Sequence, residues 1–217
     1  MKQLKDLPVI KKRFIYSLLF PAFFILILWL VWFVETELNL DFSTWGIFPR
    51  RISGLRGIIF APFIHANIRH LANNSLPLFF LMTGTLYFYR EVGYKVFFYM
   101  WLIGGVLVWI GARDAYHIGA SGIIYGLAAF LFFSGIIRNH IPLIAISLLV
   151  VFLYGSMIWG VFPLVEKMSW ESHLMGAMTG IALAFIYRHE GPQKPPPFWE
   201  NEKDETEEEY DFPEFLS

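Results

Sequence analysis

The fold is decided by "HIGASGIIYGLAAF", residues 117–130. Gly119, Ser121, Gly122 and Gly126 break a run that is otherwise almost wholly apolar. With "LFFSGII" following, the stretch predicts a helix from about Ala120 to Ile137, close to the ~20 residues that cross a hydrocarbon layer. Gly122 and Gly126 make a G-x-x-x-G pair, which lets a neighbouring helix approach closely. Tyr125 lies four residues after Ser121 and shares its face. On this stretch alone Ser121 reads as a small packing residue, and nothing in it by itself makes the serine a nucleophile.

Composition sets the environment. Of 217 residues, 56% are hydrophobic and only 16% charged, and the mean hydropathy is +0.52. Soluble domains hold about 25% charged residues, so this chain has too little polar surface to dissolve and is expected to be an all-α membrane protein. It contains no cysteine, which excludes disulfide and thiol chemistry. The near-neutral net charge conceals a split. From Gly191 onward nine acids stand against Lys194 and Lys203, with three consecutive prolines at 195–197. Such a segment cannot bury enough apolar area to offset its ordering entropy. The expected organisation is a membrane domain over 1–190 and an acidic, disordered cytoplasmic tail over 191–217.

Six transmembrane helices are predicted: Phe14–Val34, Ile68–Tyr89, Val92–Gly111, Ala120–Ile137, Ile141–Phe162 and Ser172–Tyr187. The first run is too long for a signal peptide, and no A-x-A-like cleavage site follows it. Lys2, Lys5, Lys11, Lys12 and Arg13 precede the first span, and Arg90, Lys95, Arg138 and Arg188 fall on the same side. The positive-inside bias puts that side, with both termini, in the cytoplasm. Arg50, Arg51 and Arg56 run against the bias. They belong to a segment of roughly residues 35–61 where Trp45, Phe48, Phe60 and Phe63 alternate with arginines, a pattern that suits the headgroup zone and predicts an interfacial loop between helices 1 and 2. The absence of an organelle-targeting segment points to a bacterial cytoplasmic membrane.

Polar side chains inside spans are costly, so each needs a partner or a function. The second span opens with "HANIRHLANN" (65–74). His70 and Asn74 share one face, His65 lies just before the helix, and Asn73 points about 100° away. Pro77 follows and is expected to loosen the helix by depriving the Asn73 carbonyl of its bond. The sixth span opens with "WESHLMGAMTG" (170–180). There His173 sits within a turn of the helix start, at the depth of Ser121, and the small residues Gly176, Ala177 and Gly180 lie beside it. A Ser121–His173 hydrogen bond is therefore geometrically possible. His117 is the competing base, read as an interfacial loop residue. His140 and His189 are expected as solvated boundary residues, and Glu171 is expected to face the headgroups. Metal binding fits poorly, because no H-E-x-x-H pair or equivalent ligand set is present.

Three elements, in order and on the right spans, resemble the rhomboid family of intramembrane serine proteases: H-x-x-x-x-H-x-x-x-N (His65, His70, Asn74), G-x-S-G with a following Tyr (Gly119, Ser121, Gly122, Tyr125) and H-x-x-G-x-x-x-G (His173, Gly176, Gly180). The resemblance implies a six-transmembrane-helix rhomboid-like bundle with Ser121 as nucleophile and His173 as general base. It implies that His70 and Asn74 help form an oxyanion hole with the serine's N–H, that Tyr125 stacks on His173, and that His65 supports the hole. It implies single-span membrane protein substrates within the lipid bilayer, cut near the outer face, with no cofactor, no metal and no nucleic acid. One departure is visible: where family members often carry Trp-Arg in the first outer loop, this chain reads Arg56-Gly57. The rival readings are a catalytically inactive relative that binds membrane clients, and a small transporter. The latter lacks the internal repeats and doubly broken helices common in that class.

Overall fold

In hydrocarbon no water is present to satisfy backbone N–H and C=O groups, and a helix satisfies them within one segment. The computed structural model, which describes residues 8–153, 159–163 and 169–193, follows that rule. Its long helices are α1 (Val9–Glu37), α2 (Ile68–Phe88), α3 (Gly93–Gly111), α4 (Ser121–Arg138), α5 (Ile141–Leu153) and α6 (Trp170–Ile186). The four-residue helix Gly57–Phe60 and several 3-10 turns complete the described residues, with one isolated antiparallel bridge between Ile47 and His117. By length and composition α1, α3 and α4 can each cross a membrane. The others are shorter or carry polar residues in their opening turns: Arg69, His70, Asn73 and Asn74 in α2, and Glu171 and His173 in α6.

Helix boundaries depart from the sequence expectation in two places. α1 is longer than Phe14–Val34, extending to Val9 and Glu37. The fifth predicted helix does not run to Phe162, because residues Trp159–Val161 form a 3-10 turn. There Gly160 is pressed against Tyr125 and His173 in a space no side chain could share. In α2 the helical conformation continues through Pro77, while Asn74 is buried and Asn73 exposed as the helical spacing requires. The acidic tail from Lys194 lies outside the described residues.

α1 lies at the edge of the bundle. Its buried residues, Ser17, Pro21, Phe24 and Leu28, form one stripe, while Phe14, Leu19, Phe23, Leu26, Leu30 and Phe33 stay exposed. The spacing of three and four keeps the stripe on one face. It meets α3 through Phe20–Phe97 and Phe24–Phe97 edge-to-face contacts, both 5.4 Å between centroids. It meets α2 where Trp29 Nε1 donates to Ser75 Oγ at 3.0 Å. At its start, Arg13 donates to the carbonyl of Tyr87 at 2.7 Å, capping the C-terminal end of α2.

α4 is the central rod, and α6 runs parallel beside it. A Cβ placed on Gly176 would overlap the Gly122 carbonyl oxygen, and one on Gly180 would overlap the Gly126 carbonyl oxygen. The two backbones therefore touch at steps of four residues on both helices, an approach only glycine allows. Contacts of this type let Cα–H groups face carbonyls across the seam, worth about 0.5–1 kcal/mol each. At the far end Arg138, buried, donates to the carbonyls of Tyr187 and Glu190, the latter at 2.7 Å. Asn139 ends α4 in the left-handed conformation (φ 51°), and His140 N–H returns to the Gly135 carbonyl at 2.8 Å, so α5 can start at once. His140 is not solvated as expected: its ring lies edge-on to Phe88 at 5.4 Å with Nδ1 buried.

The segment before α2 is tied down rather than loose. Arg56 lies over the Trp45 ring at 5.0 Å and donates to the Thr44 carbonyl at 3.1 Å. Arg50 ion-pairs with Asp114 and donates to the Ala112 carbonyl at 2.7 Å. Trp109 and Trp101 of α3 donate to the carbonyls of Arg51 (2.9 Å) and Ile58 (2.7 Å). A Trp–Arg pairing is thus present as Trp45–Arg56, eleven residues apart in the chain instead of adjacent.

Gly176→Ala is expected to force α4 and α6 apart and to cost about 1–3 kcal/mol, a fall in detergent thermal-unfolding midpoint of at least about 2 °C. Gly84→Ala, whose Cβ would meet its neighbours at an ordinary 3.6 Å, is the matched control and should leave the midpoint nearly unchanged.

Candidate active site

The glycine seam fixes the relative height of two first turns. Ser121 opens α4, and His173 is the fourth residue of α6. Their side chains meet: Ser121 Oγ lies 2.8 Å from His173 Nε2. The other ring nitrogen, Nδ1, lies 2.8 Å from the carbonyl oxygen of Gly160. A carbonyl only accepts, so Nδ1 carries the proton and Nε2 presents its lone pair to the serine hydroxyl. Tyr125 stacks flat on the imidazole, with centroids 4.1 Å apart and planes within 7°. The ring is thus held by a hydrogen bond in its plane and an aromatic face across it. Ser121 is 8% exposed and His173 7%, so water reaches this pair only narrowly.

Donors surround the serine. α4 begins at Ala120 with no side-chain cap and no acidic residue in its first turn. Its opening N–H groups have no partner within the helix, and the helix dipole adds positive potential there. Gly119, immediately before, adopts φ +105°, a region that disfavours any side chain. A Cβ there would lie 2.7 Å from His70 Cε1 and 3.6 Å from Asn74 Nδ2. His70 and Asn74 therefore flank the backbone leading into Ser121. The buried Asn74 amide nitrogen has no hydrogen-bond partner among the described residues, which leaves a free donor beside the loop that leads into Ser121. His70 is placed by its helix start, where the Asn67 side chain caps its N–H at 2.9 Å.

His65 is also buried. Its ring stands edge-to-face with His70, 5.0 Å between centroids, and neither of its nitrogens has a hydrogen-bond partner among the described residues. Burial, reinforced by proximity to His70, lowers its pKa to about 3. His117 does not reach Ser121. It lies in the α3–α4 loop, 2% exposed, with Nε2 on the Arg113 carbonyl at 3.1 Å and Nδ1 on the Ser169 hydroxyl. That burial corrects the expectation of an interfacial ring. Glu171 likewise does not face the headgroups: it is 3% exposed and pairs with Arg113 at 3.4 Å.

The structure thus brings together Ser121, His173, Tyr125, Gly119, His70 and Asn74, with His65 behind His70. Sequence reasoning missed Gly160. Its only trace was a glycine inside the apolar run "MIWGVF" (157–162), a signal for a break but not for a contact with a ring on another helix.

A helical membrane fold with a serine and a histidine meeting on two parallel helices defines a narrow class of protein. The chain belongs to the rhomboid family: the Rhomboid domain model matches residues 53–190, from the loop before α2 through α6. It is an integral membrane protein. It is similar to uncharacterized proteins of Mycobacterium bovis and Mycobacterium tuberculosis, 35% identical over 179 residues, covering 75% of this chain and 72% of theirs. An uncharacterized protein of Mycobacterium leprae is 33% identical over 179 residues, covering 75% and 68%.

Two tests follow from this geometry. Gly160→Ala should displace Tyr125 or His173, because the new methyl would overlap the tyrosine hydroxyl. Reactivity of Ser121 toward a fluorophosphonate probe should fall by about 10²-fold or more, against unchanged membrane insertion. The lowered pKa of His65 sets a pH dependence of stability. The unfolded state takes up the proton below the ordinary value near 6.5 while the folded state resists until about pH 3. Stability is therefore full above pH 6.5 and declines as pH falls from there toward 3. Thermal unfolding across that window should show the decline, and His65→Phe, which cannot ionise, should make it shallower.

Proposed function

We propose that this protein is an intramembrane serine endopeptidase that works through a Ser121–His173 dyad. The observation that carries the reading is the 2.8 Å Ser121–His173 contact, with the opposite ring nitrogen committed to the Gly160 carbonyl. Serine is a weak nucleophile until a base removes its proton, and Nε2 is in the form that can do so. As Oγ attacks the scissile carbonyl carbon, its proton passes to Nε2. The oxyanion is met by the first N–H groups of α4 and by Asn74 Nδ2, with His70 alongside. The protonated Nε2 then gives its proton to the departing amine, leaving an acyl group on Ser121. Water, deprotonated by the same nitrogen, releases it. The Gly160 carbonyl takes the orienting place that a carboxylate holds in a triad, and Tyr125 keeps the ring from rotating.

The reading includes six membrane crossings with both termini in the cytoplasm. It is supported by the gathering of Arg13, Arg90, Arg138 and Arg188 at the bundle end opposite Ser121. The arginines that break the bias, at 50, 51 and 56, are held against ring faces or backbone carbonyls. Substrates are single-span membrane proteins cut near the outer face, at the depth of the first turns of α4 and α6. A helical substrate hides its backbone in its own hydrogen bonds, so the cut segment is one that unwinds readily. The lipid bilayer of a bacterial cytoplasmic membrane is the setting, and the acidic tail projects into the cytoplasm.

The second reading, a client-binding relative without chemistry, shares the fold but gives no role to the uncapped α4 start and the unpartnered Asn74 amide. A reporter span reconstituted with the purified protein separates the two. Cleavage should be lost, by about 10³-fold or more, in both Ser121→Ala and His173→Ala, and Asn74→Ala should reduce kcat by roughly 10²-fold. Full cleavage by either dyad variant defeats the protease reading.

A further inference from the structure

The Ser–His contact joins two chain segments whose ends need a fixed relation. Besides the glycine seam, two side-chain ties join the loop before Ser121 to the start of α6: the Arg113–Glu171 ion pair at 3.4 Å and a contact between His117 and Ser169. His117 lies four residues before Ser121, and its backbone pairs with Ile47 in both directions, at 3.0 and 2.8 Å. Its Nε2 donates to the Arg113 carbonyl at 3.1 Å, which leaves Nδ1 to accept from the Ser169 hydroxyl. Ser169 is the residue on which α6 begins. Its carbonyl receives the N–H groups of Ser172 (3.1 Å) and His173 (3.4 Å). Its hydroxyl also lies 2.6 Å from that of Ser172, so it caps no backbone N–H. A Ser at this position usually gives its oxygen to its own helix. Here the oxygen is turned sideways to another segment.

We propose that His117 is a positioning residue, tying the loop that carries Ser121 to the first turn of the helix that carries His173. This rests on the dyad reading above. The ring's surroundings favour the neutral form the tie requires. Burial is the largest influence and lowers its pKa, and the two charges that face it, Arg113 from its own loop and Glu171 from α6, act in opposite directions. The seam sets the relative height of α4 and α6 from Gly176 onward, and the turn of α6 before it, which carries His173, is tied to the α3–α4 loop through His117–Ser169 and Arg113–Glu171. The His117–Ser169 bond resists local movement of that turn, and a slip of about 1 Å between nucleophile and base is enough to cost about 10²-fold in rate.

The test compares His117→Ala, His117→Gln, Ser169→Ala and the double alanine variant in the full-length membrane protein. Readouts are the fluorophosphonate labelling rate of Ser121 and the kcat and KM for a reporter span, with Ser121→Ala as the blank. Glutamine carries an acceptor oxygen and N–H donors on one planar group, so it can replace both bonds of the ring without ionising. His117→Ala should lower labelling and kcat by about 10- to 100-fold with KM nearly unchanged. His117→Gln should stay within about threefold of wild type. Ser169→Ala should match His117→Ala, and the double variant should be no worse than either, as expected of two ends of one bond. His117→Ala at the wild-type rate, a folded His117→Gln as slow as the alanine variant, or additive losses in the double variant each overturn the proposal. If His117→Ala does not fold, His117→Gln and Ser169→Ala decide. A wild type that takes no probe defeats the dyad reading itself, whereas a labelled wild type beside an equally labelled His117→Ala defeats the positioning role alone.

Discussion

Two helix backbones in contact hold this structure together. Gly122 and Gly126 on α4 meet Gly176 and Gly180 on α6 with no side chain between them. In a membrane, helices gain little from burying apolar surface, since lipid is equally apolar, and close backbone packing takes over as the main attraction. That constraint does more than stabilise. It sets the two helix starts at one height, and the height places Ser121 against His173. The heavier side chains that would strengthen an ordinary core, such as a leucine at 176, would here push Ser121 Oγ and His173 Nε2 out of contact.

The second constraint is satisfaction of polar groups in a site that is nearly dry. His173 spends one nitrogen on a carbonyl and the other on the serine. His117 divides its nitrogens between a carbonyl and a hydroxyl, and Arg138 spends its donors on the carbonyls that end α6. Other buried polar atoms have no partner among the described residues, the His65 ring nitrogens and Arg138 Nε among them. Asn74 Nδ2 is one of these, and it stands beside the loop that leads into Ser121. An unsatisfied donor in such surroundings costs about 1–3 kcal/mol, a cost that an arriving oxyanion would recover.

Much of this was legible in the chain. The all-helical character of the described residues, the shared face of His70 and Asn74, the different direction of Asn73 and the small-residue faces of α4 and α6 all follow from a 3.6-residue period read against polarity. What could not be read were contacts between segments far apart in sequence. Gly160 holds the imidazole through a backbone carbonyl, a group every residue possesses, so nothing in its identity marks it. Trp45 and Arg56 make their pairing across a folded loop, invisible to a search for adjacent residues. His117 and Glu171 were placed at the surface because loops and first turns usually are exposed; mutual neutralisation of Glu171 with Arg113, and the hydrogen bonds to His117, are what permit their burial.

The Gly160 carbonyl has one more implication. It belongs to chain that follows α5, while the ring it holds belongs to α6 and the hydroxyl to α4. The imidazole is therefore held in this tautomer only when all three pieces have docked. Without those contacts Ser121 is an ordinary alcohol and His173 a ring with no fixed tautomer. The arrangement around Ser121 is thus a property of the docked bundle, and no single helix carries it.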